Sequence, residues 1–106
     1  MDAAEQEVLD RFRALVSQRV PVREMVLFGS RARGDADAAS DMDILVVLAD
    51  SAPADASDQV SDAAWEAGYP RGIVIVPVVF RRHEWEDGPE RHSLLADAIR
   101  AEGVPL

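Results

Sequence analysis

Two stretches decide the fold of this 106-residue chain: FGSRARG at residues 28–34 and SDMDILV at residues 40–46. The apolar residues before the first glycine predict a strand over 22–28 that runs directly into a glycine and a serine. The unbroken apolar run after the second stretch predicts another strand over 42–49, of the kind that is buried on both faces. A strand, a glycine-serine corner and a second strand therefore form the centre of the predicted fold.

Helical and strand patterns continue on both sides of this centre. Apolar residues at three- and four-residue spacing predict helices, and a further apolar run predicts a third strand. We expect one α/β (α+β) domain spanning 1–106, a small mixed three-stranded sheet flanked by helices. The outer elements predicted are a helix from Asp2 to before Pro21, a helix from Ser57 or Asp58 to Ala67, a strand over 73–80 and a helix over 90–102.

The glycine-serine corner has the chemistry of a phosphate site. Gly29 and Ser30 lie where a strand gives way to a predicted helical turn, so backbone N–H groups without a partner converge there. Glycine allows close approach of the backbone, and the Ser30 hydroxyl can donate a further hydrogen bond to a phosphate oxygen. These two residues are our predicted nucleotide-binding residues.

Two carboxylates stand at the entry to the second strand. Asp41 and Asp43 are two positions apart, and the two-residue period of a strand sends both side chains to one face, roughly 7 Å apart along the chain. Such a pair can share Mg²⁺ and orient a nucleoside triphosphate. The alternative is that Asp41 caps a turn and Asp43 is solvated at the strand end. We predict that both are metal ligands and catalytic residues.

The combination resembles the minimal nucleotidyltransferase family, small members of the DNA polymerase beta-like superfamily. The family pattern is Gly-Ser, ten residues, then Asp-x-Asp, and Gly29-Ser30, residues 31–40 and Asp41-Met42-Asp43 match it without a gap. The resemblance implies that the glycine-serine pair holds the triphosphate of ATP, that the aspartates bind Mg²⁺, and that AMP is transferred to an acceptor hydroxyl. It also implies a protein partner, a HEPN ribonuclease toxin that a minimal nucleotidyltransferase antitoxin opposes.

One feature of the family is missing. Active members usually carry a third acidic residue on the next core strand, and residues 72–76 contain none; Val74 or a neighbour takes its place. Loss of a general base typically lowers a rate 10²- to 10⁴-fold without affecting nucleotide binding. Glu66 and Glu84 are the candidate substitutes. A catalytically impaired module that neutralises a toxin by contact is therefore the alternative function.

Several other side chains have two interpretations. Arg31 and Arg33 either steer an anion to the corner or pair with nearby carboxylates such as Asp35 and Asp37. His83 and His92 are expected to be surface or hydrogen-bonded histidines.

The aromatic and strand residues of the second half are interpreted in the same way. We expect Trp65 in the core, whereas Trp85 is as consistent with a core position as with a partner surface. The run 73–80 is expected to be buried, but Pro77 within it indicates an edge strand or a bulge.

Charge and composition limit the partners. A net charge of −9 argues against binding of extended nucleic acid, which relies on many positive side chains. The absence of cysteine excludes disulfides and cysteine-based zinc sites. No run is long enough to span a membrane and the acidic start is unlike a secretory signal, so we expect a cytoplasmic protein. An aminoglycoside-modifying enzyme uses the same motif but needs a substrate domain, which only a homo-oligomer of this chain could supply.

Overall fold

The protein is described by a computed structural model over residues 1–34 and 41–106. The described helices are α1 (Ala3–Arg19), α2 (Ser30–Arg33), α3 (Ala56–Gly68), α4 (Arg82–Glu86) and α5 (Leu94–Glu102), with 3₁₀ turns at Tyr69–Arg71 and Pro89–His92. The described strands are β1 (Val22–Phe28), β2 (Met42–Leu48), β3 (Ile75–Arg81) and β4 (Val104–Pro105). Asp35 and Asp37, named above as possible partners of Arg31 and Arg33, lie outside the described residues.

The strands form one mixed sheet in the order β3-β2-β1-β4. Strand β1 is antiparallel to β2 and β4, and β2 is parallel to β3. The mixed sheet flanked by helices is confirmed, but the prediction of three strands was one too few. Strand β4 has two residues, one of them proline, and so carries no alternating pattern that a sequence could display.

The sheet is covered on both faces. Met42, Ile44, Val46 and Leu48 of β2 pack with α1 and α3 on what we call the α1/α3 face. Leu45 and Val47 pack with α4 and α5 on the opposite, α4/α5 face; their partners there are Val26, Trp85, Ala96 and Ile99. The unbroken apolar run of β2 is thus explained, because alternate side chains enter two different cores.

Helix α1 contributes four buried side chains to the α1/α3 core. The Asp2 carboxylate caps it by accepting a 2.8 Å hydrogen bond from the Glu5 backbone N–H. Val8, Phe12 and Val16 follow at helical spacing and are fully buried. Replacing Phe12 by alanine is expected to cost about 3–5 kcal/mol of stability. This core fixes β1 and β2 against the helices and so holds the corner that follows β1.

Strand β3 is an edge strand, as Pro77 indicated. The Met42 N–H donates to the Val74 carbonyl, and the register pairs Ile44 with Pro77. The ring nitrogen of Pro77 therefore lies on the outer side of the strand, where no ladder hydrogen bond is lost. The expectation that the whole run 73–80 is buried was wrong. Ile75 is buried, whereas Val74 and Val76 are exposed, because an edge strand has a neighbour on one side only.

The two tryptophans occupy opposite environments. Trp85 is buried in the α4/α5 core and its ring lies 5.4 Å from that of Phe80. Trp65 is 66% exposed, so its predicted core position was wrong. The buried stripe of α3 consists of Ala56, Val60, Ala63, Ala64 and Ala67, and small residues at these positions bring the helix close to the sheet. Trp65 lies off this stripe.

Candidate functional site

The corner after β1 depends on a backbone conformation that only glycine adopts readily. Gly29 has φ 77° and ψ −158°, a region essentially restricted to glycine. Helix α2 starts at the next residue, and the Arg33 N–H donates to the Gly29 carbonyl at 3.1 Å. The helix has only four residues, so its dipole is small, and the N–H groups at its start have no partner within the helix itself. The sequence therefore placed this turn correctly.

Asp43 lies in the middle of a row of side chains that crosses the sheet. Its register partners are Phe28 on β1 and Val76 on β3. Met42 before it is fully buried on the α1/α3 face, so Asp43 projects to the other face. An acid between two apolar neighbours is unusual in a strand, and the arrangement partly removes its carboxylate from water.

The corner and the carboxylate lie against each other. A Cβ atom placed on Gly29 would be 2.5 Å from Asp43 Oδ2, a distance that Cβ atoms in real structures essentially never show. Any residue other than glycine at this position would therefore push the carboxylate away. The predicted nucleotide-binding glycine and one predicted metal ligand are thus adjacent in the fold.

The charge of Asp43 is unfavourable in this setting. Partial burial raises the pKa of Asp43 above its ordinary 3.8, and the negative charge of Asp41 raises it further. Asp41 is exposed, directly precedes β2 and lies two positions before Asp43, where its negative charge acts on the Asp43 carboxylate. A cation between them would relieve both effects.

The donor set fits Mg²⁺ that arrives with a nucleotide. No group of three or more histidine, cysteine or acidic side chains within residues 1–34 and 41–106 could hold a metal by itself. Magnesium commonly binds through one or two carboxylates together with substrate phosphates, keeping some of its waters. Two carboxylates beside a phosphate-binding corner match that pattern, and a closed site made only of protein ligands is not required.

The arginines predicted to steer an anion and the glutamates considered as substitutes for the third carboxylate each form ion pairs or hydrogen bonds with other residues. Arg31 is almost fully buried and pairs with Glu5 of α1 at 3.1 Å, a partner that the sequence did not indicate. Arg33 pairs with Glu102 at 3.2 Å. Glu66 of α3 pairs with Arg19 of α1, and Glu84 accepts a 2.8 Å hydrogen bond from the Arg81 N–H. Glu66 and Glu84 thus each have a partner of their own, and these contacts give no support to either as a replacement for the third carboxylate.

The histidines are exposed, as expected, and one of them belongs to a separate polar cluster. Asp50, just after β2, accepts hydrogen bonds from the His83 backbone N–H at 3.0 Å and from Arg82 at 2.9 Å. Its carboxylate also lies 2.7 Å from His83 Nδ1. These hydrogen bonds lower the pKa of Asp50 to about 2. Asp50 and Asp43 stand near opposite ends of β2, so this cluster joins β2 to α4 and does not belong to the corner.

Two residues beside the carboxylates were not singled out from the sequence. Phe28 directly precedes the glycine-serine pair, so its position next to the site could have been inferred from the motif. Val76 was named only as a neighbour of Val74, because the register between parallel strands cannot be read from either strand alone. The structure assigns the place beside Asp43 to Val76.

Comparison with known proteins defines the class to which this fold and site belong. The family model described as "Nucleotidyltransferase domain" matches residues 9–95, a range that includes the corner and both aspartates. The chain therefore belongs to the nucleotidyltransferase domain family. The resemblance found in the sequence is confirmed.

Solved structures share the fold. A toxin-antitoxin crystallised with AMP-PNP matches with a TM-score of 0.63 and 20% identity, over 91% of this chain and 69% of that one. A mutant of the toxin-antitoxin MntA-HpeT, with two aspartates two positions apart changed to glutamate, matches with a TM-score of 0.60 and 17% identity, over the same shares. None of the curated proteins matches by sequence. No helix among the described residues is long and apolar enough to cross a membrane.

Proposed function

We propose that this chain, as a single domain over 1–106, is a Mg²⁺-dependent nucleotidyltransferase that transfers AMP from ATP to a hydroxyl group of a protein. We further propose that it is the antitoxin of a toxin–antitoxin pair whose toxin belongs to the HEPN family, acting in the cytoplasm. The observation that carries the proposal is the contact between the glycine corner and the Asp43 carboxylate. The family match supports the reaction class, and the two toxin–antitoxin structures of the same fold support the biological role.

The residues of the corner would bind and orient the nucleotide. The backbone N–H groups after Gly29 and the Ser30 hydroxyl donate to phosphate oxygens, and Gly29 leaves room for the triphosphate beside Asp43. Asp41 and Asp43 would hold Mg²⁺, which neutralises phosphate charge when bound. Catalysis of this kind is mainly positioning together with charge stabilisation.

The reaction balances without a covalent intermediate on the protein. The acceptor oxygen forms a bond to the α-phosphorus, and the bond from that phosphorus to the bridging oxygen of pyrophosphate breaks. The acceptor proton passes to water, because β3 carries no carboxylate beside Asp43. This predicts slow turnover, by about 10²- to 10⁴-fold relative to an enzyme with a general base.

The absence of a carboxylate on β3 beside Asp43 favours a second candidate function. With Val76 in register beside Asp43, the chain could keep its fold and bind nucleotide but oppose its toxin by contact alone. The two functions differ in whether AMP becomes covalently attached to the partner.

Radiolabelled ATP separates them. The chain, Mg²⁺ and the protein encoded beside it would be incubated with ATP labelled on the α-phosphate, and transfer to the partner would be followed on a denaturing gel. The enzyme transfers label, and Asp41→Asn with Asp43→Asn abolishes it. Asp97→Asn, an exposed acid on α5, is the matched control and should leave transfer unchanged. Inhibition of the toxin without labelling supports the contact mechanism. If the partner is neither labelled nor inhibited, both functions are refuted.

A further inference from the structure

An apolar groove lies on the α1/α3 face, between α3 and the edge strand β3. It has a volume of about 400 Å³. Ser61, Ala64, Trp65 and Tyr69 form its helical side, and Ile73, Ile75 and Pro77 form the strand side. Apart from the Ser61 and Tyr69 hydroxyls, its side chains are apolar. A small-molecule site normally includes polar groups that fix orientation, so the lining favours an apolar surface of a larger partner.

Two exposed aromatic rings border this groove. Trp65 and Tyr69 are each 66% exposed, and they stack on one another with ring centroids 4.6 Å apart. They are four residues apart, so they project from the same side of the helical segment. Tryptophan and tyrosine are the residues most enriched among those that dominate binding energy at protein interfaces. The stacked pair therefore forms a rigid, preformed contact surface.

The surroundings of the groove are negatively charged. Asp58 and Asp62 are exposed on α3 and lie three residues before Ser61 and Trp65, so each neighbours a residue of the groove on the helix surface. Asp62 and Trp65 also border a depression beside the groove that is lined by Arg19 and Glu66. Of the nearby arginines, Arg19 pairs with Glu66 and also interacts with the charge of Asp62, and Arg71 pairs with Glu7. The acidic residues Asp58, Asp62, Glu66 and Glu7 therefore still outnumber the arginines here. The chain as a whole carries a net charge of −9. A second copy would bring the same charge to the same surface, which disfavours a homodimer there.

We propose that this groove is a docking site for a helix of another protein that presents apolar side chains along one stripe and lysine or arginine beside it. The apolar stripe packs between the Trp65–Tyr69 pair and Pro77, and the basic residues face Asp58 and Asp62. An amphipathic helix in a hydrophobic groove is a common recognition mode. The inference goes beyond the proposed function, since it requires neither the nucleotide nor the corner aspartates.

A synthetic peptide of leucine and lysine tests this chemistry directly. The peptide is about 18 residues long so that its helix forms, with leucine at i, i+3, i+4 and i+7 and no tryptophan. Titration is followed by tryptophan fluorescence, which reports on the exposed Trp65 because Trp85 is buried. We expect saturable binding that weakens about tenfold or more in Tyr69→Ala and in Asp58→Asn with Asp62→Asn. Trp65→Ala, followed by calorimetry, should lose at least as much.

Matched controls distinguish docking from general attraction to an acidic protein. Leu94→Ala removes an even more exposed apolar side chain on α5, and Glu90→Gln with Asp97→Asn removes two charges away from the groove. Both should leave the affinity unchanged. A peptide with serine in place of leucine, or glutamate in place of lysine, should bind at least tenfold more weakly.

Three outcomes overturn the proposal. Equal losses in the groove and control variants would mean that the peptide responds only to net charge. No saturable binding of the leucine–lysine peptide would mean that the groove does not accept such a helix. Concentration-dependent dimerisation in sedimentation velocity that Tyr69→Ala abolishes would assign the groove to a second copy of this chain.

Discussion

The substitution Gly29→Ala tests the contact on which the site depends. Gly29 adopts a backbone conformation that is essentially restricted to glycine, and holding alanine there costs about 1–3 kcal/mol. The new methyl group would lie 2.5 Å from Asp43 Oδ2, about 1 Å closer than an ordinary contact. Forcing the Asp43 side chain off its rotamer adds about 0.5–1.5 kcal/mol.

The expected loss of stability is therefore about 2–4 kcal/mol, which lowers the melting temperature by roughly 10–20 °C in a domain of this size. Gly72→Ala is the matched control. Gly72 also has a positive φ, of 66°, but no described atom lies within 4 Å of the Cβ it would carry. The stability lost in Gly72→Ala should therefore be only the backbone strain, about 1–2 kcal/mol.

A double-mutant cycle isolates the contact. In the Asp43→Ala background the added methyl group meets no carboxylate, so Gly29→Ala should cost about 1 kcal/mol less than in the wild type. Urea unfolding followed by circular dichroism measures each free energy, and calorimetry with Mg²⁺ and a non-hydrolysable ATP analogue measures binding. We expect Gly29→Ala to lose nucleotide binding and Gly72→Ala to keep it. Equal destabilisation by the two glycine substitutions, or an additive cycle, would refute the reasoning.

Three further predictions concern charge. Asp43→Asn should raise the free energy of unfolding at pH 7 without Mg²⁺, because the fold disfavours the charged form of Asp43, as its raised pKa indicates. This gain in stability should vanish as the pH falls below 3.8, and a gain that persists at low pH contradicts the prediction. Asp50 behaves oppositely, since its pKa is lowered to about 2: the stabilisation that its carboxylate provides is present above pH 3.8 and lost as the pH falls towards 2. In Asp50→Asn the urea midpoint should therefore depend less on pH over that window, whereas parallel pH profiles of variant and wild type would exclude the effect. Val76→Asp adds a carboxylate beside Asp43 and should lower the melting temperature without Mg²⁺. Addition of Mg²⁺ should raise the melting temperature of Val76→Asp by more than that of Val76→Asn, and equal rises in the two variants would remove Val76 from the site.

The centre of the fold could be predicted because its signals are local. The period of α1, the end of β1 at a glycine and the doubly buried run of β2 each lie within one short segment. The bounds of β2 were predicted to within one residue, 42–49 against Met42–Leu48. The glycine-serine corner was found for the same reason, since the strand and the turn are contiguous in the sequence.

The failures concern relations between segments. The pairing of β4 with β1 is set by which strand lies beside which, and a two-residue segment does not encode that choice. The edge position of β3 was indicated by Pro77, but which of its side chains are exposed depends on the elements that pack against it. The position of Trp65 was nevertheless available from the sequence. Ala56, Val60, Ala63 and Ala67 already form a complete helical stripe, and a tryptophan beside such a stripe has to point outward.

The unfavourable features of the fold gather at one place. The rest of β2 is buried and apolar, and the polar cluster at Asp50 is fully hydrogen-bonded. At the corner, by contrast, Gly29 has a backbone conformation costly for other residues and Asp43 has a charge that its surroundings disfavour. Local features that reduce stability, and that nothing in the fold itself requires, are expected where a ligand is bound. A bound cation would relieve Asp43, and a phosphate would satisfy the N–H groups after Gly29. A magnesium-bound nucleotide supplies both, which is why the function we propose places a nucleotide at the corner and not simply a metal or an anion.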